Sequence, residues 1–70
     1  MKIFPTNEDN RFEIRSDREW SNGWNRPLST SEWDDIKAWS RKSHIYYSTT
    51  GNTIEFFNKE DAVLFALRWS

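Results

Sequence analysis

The sequence predicts a single α+β domain, in which two helices pack on one face of a small three-stranded, mainly antiparallel sheet. Capping residues and helical spacing of apolar side chains indicate helices over residues 30–42 and after residue 58. Short runs rich in β-branched and aromatic residues indicate three strands, at 11–15, 44–48 and 53–57. Because 70 residues suffice for one domain only, that domain spans residues 1–70. The order β-α-β-β-α is that of a reduced ferredoxin-like arrangement.

The first strand has the alternation expected when one face of a strand is buried. Two apolar residues point to one side and three charged residues to the other: Phe12 and Ile14 against Arg11, Glu13 and Arg15. Residues 1–4 are a candidate flanking strand that ends at Pro5.

The segment after this strand is predicted to be mostly loop. Ser16 and Glu19 have the spacing of a capping box, which predicts a single helical turn carrying Trp20. Gly23 ends that turn, and residues 24–27 form an irregular loop.

The helix at residues 30–42 is marked at both ends. Ser29 and Glu32 form a capping box, and Arg41 and Lys42 at the other end interact favourably with the helix dipole. Its apolar residues recur at helical spacing and predict one buried stripe: Leu28, Trp33, Ile36 and Trp39.

Residues 44–48 and 53–57 are predicted to pair as a hairpin, because Gly51 and Asn52 between them favour a two-residue turn. This turn sets the register: Tyr47 opposite Phe56, and Thr49 opposite Ile54. The predicted core side carries Ile45, Tyr47, Ile54 and Phe56. The opposite side carries His44, Tyr46, Ser48, Glu55 and Phe57.

The last helix is predicted to begin after Asn58, a good capping residue, and to run to Ser70. Residues 62–69 are apolar almost all round. A helix with this pattern is expected to be buried over more than one face.

Aromatic residues make up 17% of a chain that is only 36% hydrophobic, with five Trp, five Phe and two Tyr. A domain this small usually adds a disulfide or a structural metal to its core. The chain has no Cys and a single His, which excludes a disulfide and a Cys/His zinc site. We therefore expect no cofactor and expect the large rings to stabilise the core.

Charge and hydropathy narrow the class of partner. The formal net charge of −1 argues against a strongly basic nucleic-acid binder and against an acidic DNA mimic. The N-terminal residues lack the apolar stretch of a signal peptide, and no apolar run approaches the length of a membrane span. We therefore expect a cytoplasmic protein that starts natively at Met1 and has no membrane partner.

No pattern of residues points to catalysis. His44, the only histidine, lies between a helix end and a strand, where a residue favoured by the helix dipole is expected. Adjacent acidic residues fall in helix first turns or in a polar loop, and do not face each other as acid and base. Gly23 and Gly51 are each explained by a turn, so no phosphate-binding loop is present. The sequence predicts a protein that is not an enzyme.

Binding of another protein is the preferred hypothesis, because exposed aromatic clusters mark interaction sites. For Trp24, exposure and burial are equally compatible with the turn-rich segment, whereas Trp20 is predicted to be buried. The candidate contact residues are Trp24, Tyr46, Phe57, Leu64 and Arg68.

Two other hypotheses remain open. Exposed rings beside arginines on a sheet can stack single-stranded bases, which makes Arg11, Arg15, Tyr46 and Phe57 candidates for weak nucleic-acid binding. A free sheet edge and an uncovered helix side also permit self-association into a homo-oligomer.

The C-terminal residues 56–69, FFNKEDAVLFALRW, resemble the ending of small uncharacterised accessory proteins of tailed bacteriophages. In those proteins a strand leads through an acidic cap into D-A-x-x-F-x-L, then a basic residue and Trp or Phe. The resemblance covers about a fifth of the chain and brings no catalytic residue. It implies a protein that acts in the host cytoplasm, where it binds and modulates one host protein or defence complex.

Overall fold

The computed structural model describes residues 1–69, and Ser70, at which the last helix is predicted to end, lies outside them. Four strands and two helices follow in the order β1, β2, α1, β3, β4, α2. Their bounds are Lys2–Pro5, Arg11–Arg15, Thr30–Lys42, Tyr47–Thr50, Thr53–Phe56 and Lys59–Trp69. The predicted small α+β domain with two helices and an antiparallel sheet is confirmed.

The sheet has four strands, so the prediction of three is wrong. The candidate strand at residues 1–4 is β1, which pairs antiparallel with β2 and sets Ile3 opposite Ile14. Pro5 is included in β1, because this strand lies at an edge of the sheet, where proline is tolerated. A local alternation over four residues is too short to predict a strand by itself. The hydrogen-bonded pairing with β2 is what makes this segment a strand.

The strand order in space is β1-β2-β4-β3, with every neighbouring pair antiparallel. Since β2 and β3 are both antiparallel to β4, they run parallel to each other with β4 between them. α1 connects β2 to β3 and lies on the face of the sheet that also carries α2. The other face has no covering layer within residues 1–69.

The predicted hairpin register is confirmed, with Tyr47 opposite Phe56 and Thr49 opposite Ile54. Ile54 and Phe56 are fully buried, and Tyr47 is half-buried against the core. Gly51 adopts a φ of 58°, as expected for a tight hairpin turn.

β3 begins at Tyr47, three residues later than predicted, because the preceding residues complete the end of α1. The backbone N–H of His44 donates to the carbonyl of Arg41 at 3.3 Å, and that of Ile45 donates to Ser40 at 2.8 Å. This pair of bonds is a Schellman motif, and donors used there are not free for a sheet ladder. Ile45 is nevertheless buried, as predicted.

Phe65 of α2 is the centre of the core and is fully buried. Its ring centroid lies 5.0 Å from those of Phe56 and Trp69 and 5.9 Å from those of Phe12 and Trp39. These rings come from β2, β4 and both helices, so one side chain contacts both layers. The predicted stripe of α1, together with Leu28 just before the helix, is confirmed: Leu28 and Ile36 are buried, and Trp33 and Trp39 pack against the core.

α2 is not buried over more than one face, so that prediction is wrong. Ala62 and Phe65 are buried, whereas Val63, Leu64 and Leu67 on the opposite side are 52%, 51% and 72% exposed. In a two-layer fold, the sheet and α1 reach only one side of this helix.

The predicted helical turn after β2 is also wrong, because residues 18–26 form a small irregular hairpin. Its two sides are joined by an antiparallel bridge between Glu19 and Asn25. The N–H of Trp20 donates to the Trp24 carbonyl at 2.7 Å, and the chain reverses through Gly23 at a φ of 87°. The Ser16 hydroxyl accepts the N–H of Arg18 rather than that of Glu19, so no capping box forms.

His44 is the only residue other than glycine with a positive φ among residues 1–69, at 56°. At this position of a Schellman motif, glycine avoids the clash between Cβ and backbone. We expect His44→Gly to raise the free energy of unfolding by about 0.5–1 kcal/mol, net of the entropy that glycine adds to the unfolded chain. Urea denaturation measures the change.

The neighbouring Ser43 has a φ of −96° and provides the matched control. Ser43→Gly adds the same unfolded-state entropy without relieving any strain, so it should lower stability. A lower stability of His44→Gly than of the unsubstituted protein would contradict the strain argument.

Candidate functional site

Five of the twelve aromatic rings are exposed, and none of the five is among the rings that surround Phe65. They belong to Phe4, Trp20, Trp24, Tyr46 and Phe57. The prediction that Trp20 is buried is wrong, since half of it is exposed. For Trp24, which the sequence left undecided, the structure shows 72% exposure.

Trp24 lines a groove on the uncovered face of the sheet, which we call the Trp24 groove. It has a volume of about 420 Å³ and is lined by Phe4, Glu13, Arg15, Gly23, Trp24 and Asn25. The pairing of β1 with β2 sets Phe4 opposite Glu13, which places Phe4 on the same face as the charged residues of β2. The hairpin at residues 18–26 supplies the other wall.

Phe4 was not predicted as a site residue. The signal that identifies it is the alternation of β1, in which Ile3 packs against the core and Phe4 points away. That alternation becomes informative only once β1 is known to pair with β2.

The polar side of the groove is electrically balanced. The Arg15 Nε donates to Glu13 Oε1 at 3.0 Å, and Arg15 Nη1 donates to the Asn25 carbonyl at 3.4 Å. The guanidinium is therefore paired with a carboxylate and tied to the hairpin. What the groove presents is two aromatic rings beside a neutral ion pair.

The hairpin that carries Trp24 is held at its base by Ser16, which is only 2% exposed. The backbone N–H of Ser16 donates to the Arg26 carbonyl at 2.8 Å, and its carbonyl accepts the Asn25 side-chain amide at 3.1 Å. Its hydroxyl accepts from the backbone N–H of Arg18 at 3.2 Å and from Arg18 Nε at 3.1 Å. Trp24 is thus exposed on a segment whose base is fixed.

The same base is linked to the start of α1. The predicted capping box is confirmed: the Glu32 N–H donates to Ser29 Oγ at 3.3 Å, and the Ser29 N–H donates to Glu32 Oε1 at 3.1 Å. The Arg18 guanidinium lies 3.7 Å from the Glu32 carboxylate. Burial by itself would raise the pKa of Glu32, but hydrogen bonds from Ser29 and Ser16 and the charge of Arg18 together lower it.

Trp20 lies on the same hairpin but does not line the Trp24 groove. The Arg26 guanidinium is 4.6 Å from the centroid of the Trp20 ring, and Arg26 Nε donates to the Glu19 carbonyl at 3.2 Å. One face of this indole is therefore occupied by a cation–π contact within the chain.

Arg11, proposed with Arg15 as a nucleic-acid contact, is also paired. Its Nη2 lies 2.7 Å from Glu55 Oε2 and 3.7 Å from Glu8 Oε2. The hydrogen bond to Glu55 is the main reason that the pKa of Arg11 is raised further, with the charges of Glu55 and Glu8 adding to it. Both arginines that are candidates for the alternative nucleic-acid site are therefore paired with carboxylates.

Tyr46 and Phe57 are 71% and 68% exposed and lie one position beyond the last pair of the β3–β4 ladder. Tyr46 lines a second groove of about 380 Å³, which we call the Tyr46 groove, between the end of α1 and the start of β3.

Leu64 and Arg68 lie on the exposed side of α2, together with Val63 and Leu67. This side faces away from the sheet, whereas Trp24 lies beyond the opposite face of the sheet. The five predicted contact residues are therefore all exposed, but they do not form one continuous surface.

Within residues 1–69, no group of three or more His, Cys, Asp or Glu side chains is placed to hold a metal ion. Neither helix of that described part of the chain is long and apolar enough to cross a membrane. Comparison with protein-family models, curated protein sequences and solved structures finds no match to this chain.

The lowered pKa of Glu32 predicts how the capping box responds to pH. The ionised carboxylate contributes its full share of the unfolding free energy above the pKa of about 4.3 that it has in the unfolded chain. This stabilisation is lost as the pH falls through the lower pKa of the folded state. We expect Glu32→Gln to cost about 0.5–1 kcal/mol of unfolding free energy at pH 7, and less at pH 3. Urea denaturation of both proteins at the two pH values measures this difference.

Glu19→Gln, at an exposed carboxylate, is the control and should show a similar small effect at both pH values. A cost of Glu32→Gln that grows as the pH falls would contradict the sign of this argument.

Proposed function

We propose that the chain is a non-enzymatic protein-binding module that contacts its partner through the Trp24 groove. The observation that carries this proposal is the 72% exposure of Trp24 on a hairpin anchored by the buried Ser16. Trp is the residue type most enriched among the side chains that dominate binding energy. An anchored ring also loses less conformational entropy on binding than one on a flexible loop.

The groove suits an apolar side chain of a partner protein. Phe4 and Trp24 supply apolar contact area, and the Glu13–Arg15 pair at the side provides polar atoms for a hydrogen-bonded rim. Its volume of about 420 Å³ is sufficient for one or two large side chains and falls within the range of small-ligand sites.

The biological role in this proposal follows from the resemblance at residues 56–69. A phage-type accessory protein would bind a host protein or defence complex in the host cytoplasm and change its activity without catalysis. No cofactor is part of this proposal.

Nucleic-acid binding is the less supported alternative. Its affinity would depend on free arginines that neutralise phosphates. Arg11 and Arg15 are paired with Glu55 and Glu13 at 2.7 Å and 3.0 Å, so phosphate would have to displace these carboxylates.

Self-association through α2 is a second candidate, favoured by the pattern of its exposed side. Glu60 and Arg68 stand four residues before and after Leu64. In an antiparallel pair of α2 helices related by a twofold axis at Leu64, Glu60 of one copy would meet Arg68 of the other. The exposed stripe of Val63, Leu64 and Leu67 would be covered in that pair.

Replacing Trp24 tests the proposed function. We expect Trp24→Ala to weaken binding of the principal protein captured from cell extract by about 30-fold or more, as at other interface hot spots. Its stability should stay within about 0.5 kcal/mol, because the side chain is mostly exposed. Affinity capture followed by titration of the recovered protein measures the loss.

Trp20→Ala is the matched control, because it removes an indole from the same hairpin without touching the groove. It should retain the partner. If the partner is retained equally by both variants, or lost only with Trp20→Ala, the Trp24 groove is not the contact surface.

Charge reversal tests self-association. We expect the mass measured by sedimentation to rise with concentration in the micromolar to millimolar range, since a single helix pair buries little area. Glu60→Arg should reduce this rise, and Glu60→Arg combined with Arg68→Glu should restore it. A constant monomer mass over that range would rule out the α2 pair.

A further inference from the structure

The outer edge of β3 presents unpaired backbone groups. β3 pairs with β4 on one side, and no strand of residues 1–69 pairs with its other side. The Phe56 N–H donates to the Asn10 carbonyl at 2.9 Å, so the backbone groups of Phe56 point towards β2. Tyr47, opposite Phe56, and Thr49, two residues on, therefore direct their N–H and C=O groups outward.

This edge lacks the features that usually protect a strand from pairing. The sequence of β3 is YSTT, with no charged residue and no proline. The opposite edge of the same sheet, β1, carries Lys2 and Pro5. Charge and proline at an edge are standard ways to prevent strand addition, and only β1 has them.

The Tyr46 groove adjoins this edge, because Tyr47 both lines the groove and begins β3. Its lining includes Lys37, Arg41 and His44, and no carboxylate. Neither Lys37 nor Arg41 has a carboxylate oxygen within 4 Å in the part of the chain that the structure describes. The groove is therefore a basic site in a chain whose net charge is −1.

The helix dipole does not account for this much positive charge. The end of an α-helix carries the equivalent of about half a negative unit charge. Lys37 and Arg41, which both line the groove, place two positive charges in the last two turns of α1. A positive excess remains, which is available to an acidic ligand.

We propose that the β3 edge binds an extended acidic segment of another protein as a fifth strand. The backbone of that segment would pair with Tyr47 and Thr49. Its side chains alternate between faces, so every second residue would point towards the face that carries α1, where Lys37 and Arg41 lie. Acidic residues at those positions would complement the groove.

The positive charge of the Tyr46 groove favours an acidic segment of another protein over a second copy of this chain. A second β3 aligned along the edge would bring only YSTT and no carboxylate to the Tyr46 groove. The site is distinct from the Trp24 groove, which uses β1, β2 and the hairpin. The two proposals can therefore fail separately.

The experiment uses two labelled seven-residue peptides, one alternating Glu with Val and the other alternating Gln with Val. Fluorescence anisotropy at low salt should show the Glu peptide binding at least about tenfold more tightly than the Gln peptide. The affinity for the Glu peptide should fall as salt is added, because screening weakens exposed charge pairs.

Thr49→Pro removes an outward N–H without removing a donor of the β3–β4 ladder, and Thr49→Ala retains that N–H. We expect Thr49→Pro to weaken binding about tenfold or more and Thr49→Ala to leave it nearly unchanged. Arg41→Gln should weaken binding of the Glu peptide several-fold, whereas Trp24→Ala should have no effect. Amide hydrogen exchange at Tyr47 and Thr49 should slow in the complex.

Any one of the following results would overturn the proposal: no binding at about 1 mM peptide, equal binding of the Gln peptide, full binding by folded Thr49→Pro, or unprotected amides at Tyr47 and Thr49 in the complex. If Thr49→Pro does not fold, the proposal is tested by hydrogen exchange at Tyr47 and Thr49 in the complex of the unsubstituted protein. A peptide-independent dimer that protects the same amides would assign the edge to a second copy and also overturn it.

Discussion

The packing of Phe65 against rings from both helices and the sheet is the contact on which the rest of the structure depends. Centroid distances of 5.0–5.9 Å join it to Phe12, Trp39, Phe56 and Trp69. Aromatic pairs at such distances add to the free energy of burial itself. In a chain without cysteine, they provide stability that other small domains obtain from disulfides or metals.

The same small core leaves three surfaces uncovered, and each carries one of the binding sites that we propose. Two layers suffice to enclose Phe65, so the outer face of the sheet, the far side of α2 and the edge of β3 have no cover within residues 1–69. Trp24 lies on the first and Leu67 on the second. These surfaces are exposed because no further layer within residues 1–69 reaches them.

Structural features that depend on neighbouring residues are predictable from this sequence, whereas features that depend on residues distant in the chain are not. The Ser29–Glu32 capping box and the turn at Gly51 lie within a few residues of the groups they order, and both were predicted. The segment at Ser16 had the same local capping pattern, yet its backbone pairs with Arg26, ten residues on. The five candidate contacts are all exposed, although the sequence left the exposure of Trp24 undecided. Phe4 is not among them, and the sequence does not indicate that they lie on different faces of the domain.

The sequence by itself determined the α+β class of the fold, the limits of α1, the start of α2, the hairpin register and the absence of disulfide chemistry. These follow from side-chain periodicity, capping and composition, which act over one or two turns of chain. Only the tertiary structure decided that Phe4, Trp20 and Trp24 remain exposed. Burial of an aromatic side chain depends on whether another layer reaches it, and Trp24 and Trp39 have the same chemistry but different neighbours.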